Sequence, residues 1–186
     1  MDIAVFGGAF DPPHLGHLTI ARQLLQQELT DEVWFLPVKY HPFLKDLTIE
    51  QHRLAMLKLM LEPRMKINTF ELEQPETTYT YNTLKQLSQQ HLEHRLSFVI
   101  GSDNLQKFDQ WDRYGELVKE FPFFVYPRHG FPLQPMYENM HEISNVEEIT
   151  ISSTQIRKFV ETGKNIDELI HPAVAEYITQ HALYSK

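Results

Sequence analysis

Two histidines lie three residues apart in a short segment that also contains three glycines and a Pro-Pro pair. The segment is Gly7-Gly8-Ala9-Phe10-Asp11-Pro12-Pro13-His14-Leu15-Gly16-His17. Because residues three apart on a helix share a face, His14 and His17 can bring two imidazoles to one ligand. Glycines let the backbone approach that ligand closely, and the free N–H groups at a helix start favour an anion. We therefore predict that this segment binds phosphate.

A second segment, far along the chain, has the residues of another phosphate site. It is Ile151-Ser152-Ser153-Thr154-Gln155-Ile156-Arg157. Ser152 followed three residues later by Gln155 is a capping-box pattern that predicts a helix start. The hydroxyls of Ser153 and Thr154 would then face an anion, and Arg157, one turn along, would add a permanently charged fork. Taken alone, the pattern fits an ordinary helix cap followed by a surface arginine equally well.

The composition excludes several other chemistries. None of the 186 residues is cysteine, so disulfides, thiolate metal sites and cysteine nucleophiles are all ruled out. With 17 Lys and Arg against 25 Asp and Glu, the net charge of −8 argues against broad binding to nucleic acid, although a basic pocket for one small ligand remains open. Neither G-x-G-x-x-G nor G-x-x-x-x-G-K-[ST] occurs, so the glycine turn is neither a dinucleotide fingerprint nor a P-loop.

The length of the chain predicts the number of domains, and its apolar pattern predicts the compartment. A chain of 186 residues is long enough for one substantial core, so we expect a single domain over residues 1–186. The first six residues lack the basic-then-apolar pattern of a secretory signal, and no apolar run reaches the roughly 20 residues that span a bilayer. We therefore expect a cytoplasmic protein without a membrane partner. The sequence leaves the oligomeric state open.

Apolar runs alternate with helical patterns, which predicts an α/β fold: a mostly parallel sheet with helices on both faces. The predicted strands are residues 3–6, 32–36, 65–70, 96–100, 123–126 and 148–151. The predicted helices are residues 15–29, 48–61, 80–91, 152–161 and 172–180, with an amphipathic stretch at 104–119 and a short helix near Asp167. The His14 segment then follows the first strand, at the edge where open α/β sheets bind ligands.

These two segments resemble the signatures of a known family. The first is similar to G-G-[ST]-F-D-P-x-H-x-G-H of the H-x-G-H nucleotidyltransferases, and within them the nicotinate mononucleotide adenylyltransferases, with Ala9 where a hydroxyl residue is common. The second is similar to their I-S-S-T-x-I-R signature. The resemblance covers nearly the whole chain and implies a Rossmann-like nucleotidyltransferase fold. It also implies transfer of the adenylyl group of ATP to nicotinate mononucleotide, with release of pyrophosphate.

The resemblance also implies roles for single residues. His14 and His17 would donate to the triphosphate of ATP, and Arg157 would bind its β- and γ-phosphates. The hydroxyl residues that would assist Arg157 are Ser152, Ser153 and Thr154. The residues that would let ATP approach the backbone are Gly7, Gly8 and Phe10. Mg²⁺ would accompany ATP, bound largely by substrate phosphates and water.

Shorter matches lie between the two signatures. Gly101-Ser102-Asp103 resembles the family's G-x-D, in which the carboxylate accepts hydrogen bonds from a ribose, although Gly and Asp suit a simple turn equally well. Residues 78–84 resemble [ST]-Y-T-x-x-T-L, which implies that backbone groups near Tyr79 and Thr80 bind the pyridine carboxylate. Residues 108–111 resemble F-x-x-W, which implies that Trp111 stacks on the pyridine ring, although it would fit a core position too.

One departure concerns the acceptor. After the second strand the family shows P-P-H-[KR], whereas residues 37–45 place Phe43 where the histidine would fall. Lys39, His41 and Lys45 are candidates for the missing phosphate contact. Nicotinamide mononucleotide and phosphopantetheine therefore remain alternative acceptors, and a regulator that binds nucleotide without catalysis remains an alternative function. The intact His14, His17 and Arg157 favour an enzyme.

Overall fold

In the computed structural model, residues 1–40, 47–146 and 148–185 are described. Within these ranges six strands form one sheet. They are β1 (Asp2–Gly8), β2 (Glu32–Pro37), β3 (Met65–Ile67), β4 (Arg95–Gly101), β5 (Phe123–Tyr126) and β6 (Met140–Glu142). The strand order is β3-β2-β1-β4-β5-β6 and every pairing is parallel. This is the Rossmann order, so the predicted α/β fold is confirmed.

Helices cover both faces of this sheet. In the described ranges they are α1 (Leu15–Gln26), α2 (Glu50–Lys58), α3 (Thr80–Gln90), a 3₁₀ helix (Ser102–Gln110), α4 (Tyr114–Glu120), α5 (Ser153–Glu161) and α6 (Pro172–Gln180). Successive side chains of β1 point to opposite faces, which puts Phe6 in one buried cluster and Val5 in the other. Helices α1, α2, α5 and α6 pack on the Phe6 face, and α3, α4 and the 3₁₀ helix pack on the Val5 face.

The last predicted strand, residues 148–151, was wrong. The sixth strand is β6, and Ile149 makes only an isolated bridge with Arg128. Because β6 lies at the edge of the sheet and Met140 is its one buried residue, its sequence lacks the apolar run that marks the central strands.

Two predicted helix signals also differ from the structure. Helix α2 begins at Glu50 after Ile49, and Thr48 makes no cap; instead its N–H donates to the carboxylate of Asp11, at 3.0 Å. The segment near Asp167 forms a turn in which the Asp167 N–H donates to Asn165 Oδ1, at 2.6 Å. In both places a polar side chain binds the backbone locally or across the fold rather than starting a helix.

Over the described residues, no helix has both the length and the apolar character needed to cross a bilayer.

Candidate active site

The candidate site lies where the strand order reverses. Strands β1 and β4 are neighbours, and the connections that leave their carboxyl ends run to opposite sides of the sheet, which opens a crevice between them. The His14 segment leaves β1 at this crevice, and Gly101-Ser102-Asp103 leaves β4 beside it. The topology therefore puts two of the predicted ligand-binding segments side by side.

His14 and His17 form a stacked pair at the start of α1. Their ring centroids are 3.6 Å apart and the rings are inclined by 23°. His14 is the buried N-cap residue, and His17 is partly exposed in the first turn. A Cβ on Gly16 would lie 2.8 Å from Ile149 Cγ2 and 3.0 Å from His14 Nδ1. The glycine between the histidines is therefore needed for the His14 ring to pack against this helix.

Both imidazoles are neutral at pH 7. Burial, and then the charge of Arg128, lowers the pKa of His17 to about 3. Burial lowers the pKa of His14 well below its ordinary value, helped by His17 and Arg128. The backbone N–H of His14 donates to His17 Nδ1 at 3.1 Å, so the single ring proton of His17 must be on Nε2. His17 thus has an N–H donor whose tautomer the backbone sets.

His14 contributes an unusual buried atom to the site. Its side chain faces the backbone N–H of His17 in a capping-box arrangement, but the buried Nδ1 makes no hydrogen bond of ordinary geometry within the described ranges. Buried polar atoms are nearly always paired, and unpaired ones are commonest at functional sites.

The second segment contacts the first directly. Ser153 Oγ donates to the carbonyl oxygen of Pro12 at 2.9 Å, and Arg157 Nη1 donates to the carbonyl oxygen of Asp11 at 2.5 Å. These partners are 141 and 146 residues apart in the chain. The structure therefore brings the starts of α1 and α5 to one place.

The hydroxyl residues of the second segment have three different partners. Ser152 Oγ accepts the N–H of Gln155 at 3.2 Å, which confirms the predicted cap of α5. Thr154 Oγ1 accepts from Arg157 Nη2, also at 3.2 Å, while Ser153 binds the first segment. The hydroxyls thus build the helix start, orient the arginine and connect the two segments.

Sequence reasoning missed Arg128. Arg128 follows β5, and its side-chain Nε lies 3.7 Å from the Oδ1 of Asp103. Its backbone N–H donates to Ser102 Oγ at 2.9 Å. A Cβ on Gly101 would lie 2.3 Å from Asp103 Oδ1 and 2.7 Å from Arg128 Cδ. Gly101 therefore leaves room for this ion pair. The available signal was the position of Arg128 just beyond the end of an inner strand, where ligands bind.

Two further residues that sequence reasoning missed support the loop from Ala9 to Pro13. Arg53 of α2 is 2% exposed; its Nη1 donates to the carbonyl oxygen of Ala9 at 2.7 Å and its Nε to that of Thr48 at 2.9 Å. The hydroxyl of Tyr184 donates to Asp11 Oδ1 at 2.6 Å. Neither residue had a sequence signal, because the sequence does not distinguish a buried arginine from a solvent-exposed one, or Tyr184 from the other tyrosines.

The structure gives Gly7, Gly8 and Phe10 packing roles. A Cβ on Gly7 would lie 2.7 Å from the ring of Phe98, and one on Gly8 would lie 3.1 Å from the ring of Phe10. Phe10 is buried with φ of 49°, and its ring packs edge-on against His17 with centroids 5.0 Å apart. Gly8 and Phe10 thus shape the floor beneath the imidazole of His17, whereas Gly7 leaves room for Phe98 on the Val5 face.

The residues predicted for the acceptor are held more loosely. Lys39 Nζ donates to the carbonyl oxygen of Gln74 at 2.9 Å. Tyr79 is exposed at the start of α3, where Thr80 is the first helical residue. Trp111 is partly exposed, with its ring centroid 4.9 Å from that of Phe108. The other acceptor candidates, His41 and Lys45, lie outside the described residues, as does Phe43.

The site collects hydrogen-bond donors and positive charge. One crevice is bordered by two imidazoles, by the guanidinium groups of Arg128 and Arg157 and by the N-termini of two helices. This positive charge is local, because the chain as a whole has a net charge of −8. Such a set is suited to holding a polyanion and the charge that develops on it.

The chain is similar in sequence to known proteins. The family model described as "Cytidylyltransferase-like" matches residues 5–159. A probable nicotinate-nucleotide adenylyltransferase of Bacteroides fragilis (strain YCH46) is 38% identical over 95% of this chain and 90% of its own length. The nicotinate-nucleotide adenylyltransferase of Bacillus subtilis (strain 168) is 36% identical over 98% of this chain and 97% of its own.

Solved structures show the same likeness. Plasmodium falciparum nicotinic acid mononucleotide adenylyltransferase complexed with NaAD has a TM-score of 0.81 and 27% identity, covering 98% of this chain and 97% of the other. The same protein complexed with APC has a TM-score of 0.80 and 26% identity, covering 98% and 96%.

Proposed function

The chain belongs to the cytidylyltransferase-like family and, within it, to the nicotinate-nucleotide adenylyltransferases, and we propose that it transfers the adenylyl group of ATP to nicotinate mononucleotide. The products are nicotinate adenine dinucleotide, a precursor in NAD biosynthesis, and pyrophosphate. Residues 1–186 would carry the reaction as one nucleotidyltransferase domain.

One observation carries this proposal: the starts of α1 and α5 are joined at the carboxyl edge of the sheet, beside a neutral His17 with an N–H donor. In adenylyl transfer, a phosphate oxygen of the acceptor attacks the α-phosphorus of ATP and the bond to the β-phosphate oxygen breaks. The acceptor supplies the nucleophile, so the protein has only to align the two phosphates and stabilise the charge on the departing pyrophosphate. A set of donors without an activated side-chain nucleophile fits that task.

We assign each hydrogen-bond donor to a part of the substrates according to its position in the site. We assign His14 and His17 to the triphosphate, with His17 Nε2–H as a donor to the charge that develops. Arg157 has five N–H donors, so it can hold the Asp11 carbonyl and still bind the β- and γ-phosphates. Arg128, whose charge already acts on both imidazoles, would bind the same polyanion. Asp103 would accept hydrogen bonds from the ribose.

Mg²⁺ would reach the site with ATP. In the described part of the chain, the one group of three His, Asp or Glu side chains close enough to share an ion lies at the other edge of the sheet, at His91, Glu93 and His94. The carboxylate of Asp11 is bound by Tyr184. The donor set therefore fits Mg²⁺ held by substrate phosphates and water, where it would neutralise phosphate charge.

The acceptor would lie on the side of α3 and the 3₁₀ helix. We propose that backbone groups near Tyr79 and Thr80 bind the pyridine carboxylate, and that Trp111 stacks on the pyridine ring. Lys39 and Lys45 are our candidates for the acceptor phosphate. The complex of the P. falciparum relative with NaAD supports this choice of acceptor.

A panel of acceptors tests the proposal. The full chain is incubated with ATP and Mg²⁺ and, in turn, nicotinate mononucleotide, nicotinamide mononucleotide or phosphopantetheine, and pyrophosphate is measured. We expect the highest kcat/KM with nicotinate mononucleotide. A higher value with either rival would reassign the acceptor. Binding of ATP without acceptor-dependent pyrophosphate would identify a regulator instead.

A further inference from the structure

Three side chains that can bind metal lie together at the amino ends of the sheet's strands, whereas the candidate active site lies at their carboxyl ends. His91, Glu93 and His94 follow α3 and precede β4, and one ligand atom of each lies within 4.8 Å of the others. Strand β4 runs parallel to β1, so the amino end of β4 is at the far edge from the His14–His17 pair. We call these three residues the amino-edge cluster; the adenylyl-transfer reaction does not use it.

A tight turn and a buried aromatic ring arrange the two imidazoles. The N–H of His94 donates to the carbonyl oxygen of His91 at 2.9 Å, which closes a turn and brings the two side chains together. Their rings are nearly parallel, inclined by 12° with centroids 5.8 Å apart. The ring of Trp34 packs edge-on against both, with centroids 4.9 Å from His91 and 5.8 Å from His94. The two imidazoles are therefore held close together before any ligand arrives.

His94 has polar capacity that the protein does not fill. Its side chain is 12% exposed, and its Nδ1 is buried without a hydrogen-bond partner within the described ranges. Its Nε2 lies 3.3 Å from Glu93 Oε1. Glu93 is 68% exposed, so its carboxylate can move by side-chain rotation while His94 stays against Trp34. The cluster thus combines two imidazoles that pack against Trp34 with an exposed carboxylate that can adjust.

We propose that the amino-edge cluster binds a divalent transition-metal ion such as Zn²⁺, Ni²⁺ or Co²⁺. Imidazole suits these ions, whereas Mg²⁺ and Ca²⁺ prefer oxygen ligands. Bonds of about 2.0 to 2.2 Å place two ligands of a tetrahedral ion about 3.4 Å apart. The present spread of up to 4.8 Å therefore closes by rotation of His91 and Glu93. Water completes the coordination, and the ion holds the three side chains of the turn after α3 together.

Cobalt titration of the full chain tests this site without an activity assay. The protein is first treated with a chelator and dialysed, then titrated with Co²⁺ while the visible absorption is recorded. We expect saturable binding of one Co²⁺, weakened at least about tenfold by His91→Ala or by Glu93→Gln, since even partners outside the ligand set change affinity on that scale. Both residues are at least partly exposed, so these variants should fold. His141→Gln is the control, because His141 is an exposed histidine beside Glu142 that belongs to no group of three potential ligands among the described residues.

Thermal unfolding gives an independent measurement. Zn²⁺ at about 100 times its Kd should raise the Tm of the wild type and of the control by about 5 to 10 °C, and should raise that of His91→Ala much less. Equal Co²⁺ affinity and equal Tm shifts in the wild type and His91→Ala would overturn the proposal. In that case Glu93 and His94 form only a side-chain contact with each other.

Discussion

The phosphate side and the acceptor side of the candidate site are built differently. On the phosphate side, the loop from Ala9 to Pro13 receives hydrogen bonds from Arg53, Arg157 and Tyr184. On the acceptor side, Tyr79 is 57% exposed and Trp111 is partly exposed. The difference teaches that the groups proposed for the chemistry are preorganised by packing, whereas the residues proposed for the acceptor lie at least partly at the surface.

The strongest test of the difference between the two sides removes His17, the proposed donor to the developing charge. His17→Ala should lower kcat by a factor of at least about a hundred, the scale for losing one preorganised donor to a developing charge. Pyrophosphate release measures it, and circular dichroism checks that the fold is kept. His141→Ala, an exposed histidine on β6, serves as the matched control. Near-normal turnover of His17→Ala would remove His17 from the mechanism.

Arg128→Met tests the residue that sequence reasoning missed. Loss of a charged hydrogen-bond donor to the polyanion should lower kcat/KM for ATP by about ten- to a hundredfold. The same change should raise the pKa of His17 above about 3, because the nearby positive charge disfavours the protonated ring. An NMR titration of the imidazole measures the pKa. Unchanged kinetics together with a raised pKa would make Arg128 an electrostatic neighbour that does not touch ATP.

The pH dependence of stability tests the neutral histidines. The ordinary pKa is 6.5, and that of His17 in the folded protein is about 3. Between these values the unfolded chain binds a proton that the folded chain does not, so the free energy of unfolding should fall as the pH falls from 6.5. Each such histidine adds a slope of up to about 1.4 kcal/mol per pH unit.

Urea unfolding at pH 7.5, 6.5 and 5.5 measures that slope. His17→Gln should make it shallower, whereas His141→Gln should leave it unchanged. Equal slopes for the wild type and His17→Gln would show that His17 is protonated in the folded protein at pH 5.5.

Much of the fold and the outline of the phosphate side could be predicted from the sequence, because their signals are local. The β1 strand, its glycine turn and the two histidines lie within 16 residues, and the Ser152 cap lies within four. Strand β6 escaped prediction because its one buried residue gives no pattern.

The supporting contacts could not be predicted, because each joins residues far apart in the chain. The Tyr184–Asp11 hydrogen bond spans 173 residues and that between Arg53 and Ala9 spans 44. No spacing rule connects such partners; they meet only after the sheet has ordered β1, α2 and the carboxyl-terminal segment around one edge. The two signature segments were therefore easier to find than the residues that hold them.

Trp111→Ala tests the acceptor side. Loss of a stacked aromatic ring costs about 0.5 to 1.5 kcal/mol, so the KM for nicotinate mononucleotide should rise by about two- to twelvefold. The KM for ATP should stay unchanged, because Trp111 is assigned to the acceptor side alone. Initial rates with one substrate varied at a time separate the two constants. A rise in both would show that Trp111 supports the fold of the site rather than the pyridine ring.

Two carboxyl-terminal tyrosines give the smallest and most selective test. Tyr184 donates to Asp11 in the loop before α1, and the Tyr177 hydroxyl lies 2.9 Å from the Nδ1 of His52 in α2. Tyr184→Phe and Tyr177→Phe each remove one hydrogen bond, so each should lower the free energy of unfolding by about 1 kcal/mol. Only Tyr184→Phe should also lower kcat, because Asp11 belongs to the loop that carries the histidines. If both variants lower kcat equally, the tail stabilises the fold in general and the preorganisation of the phosphate side comes from Arg53 and Arg157.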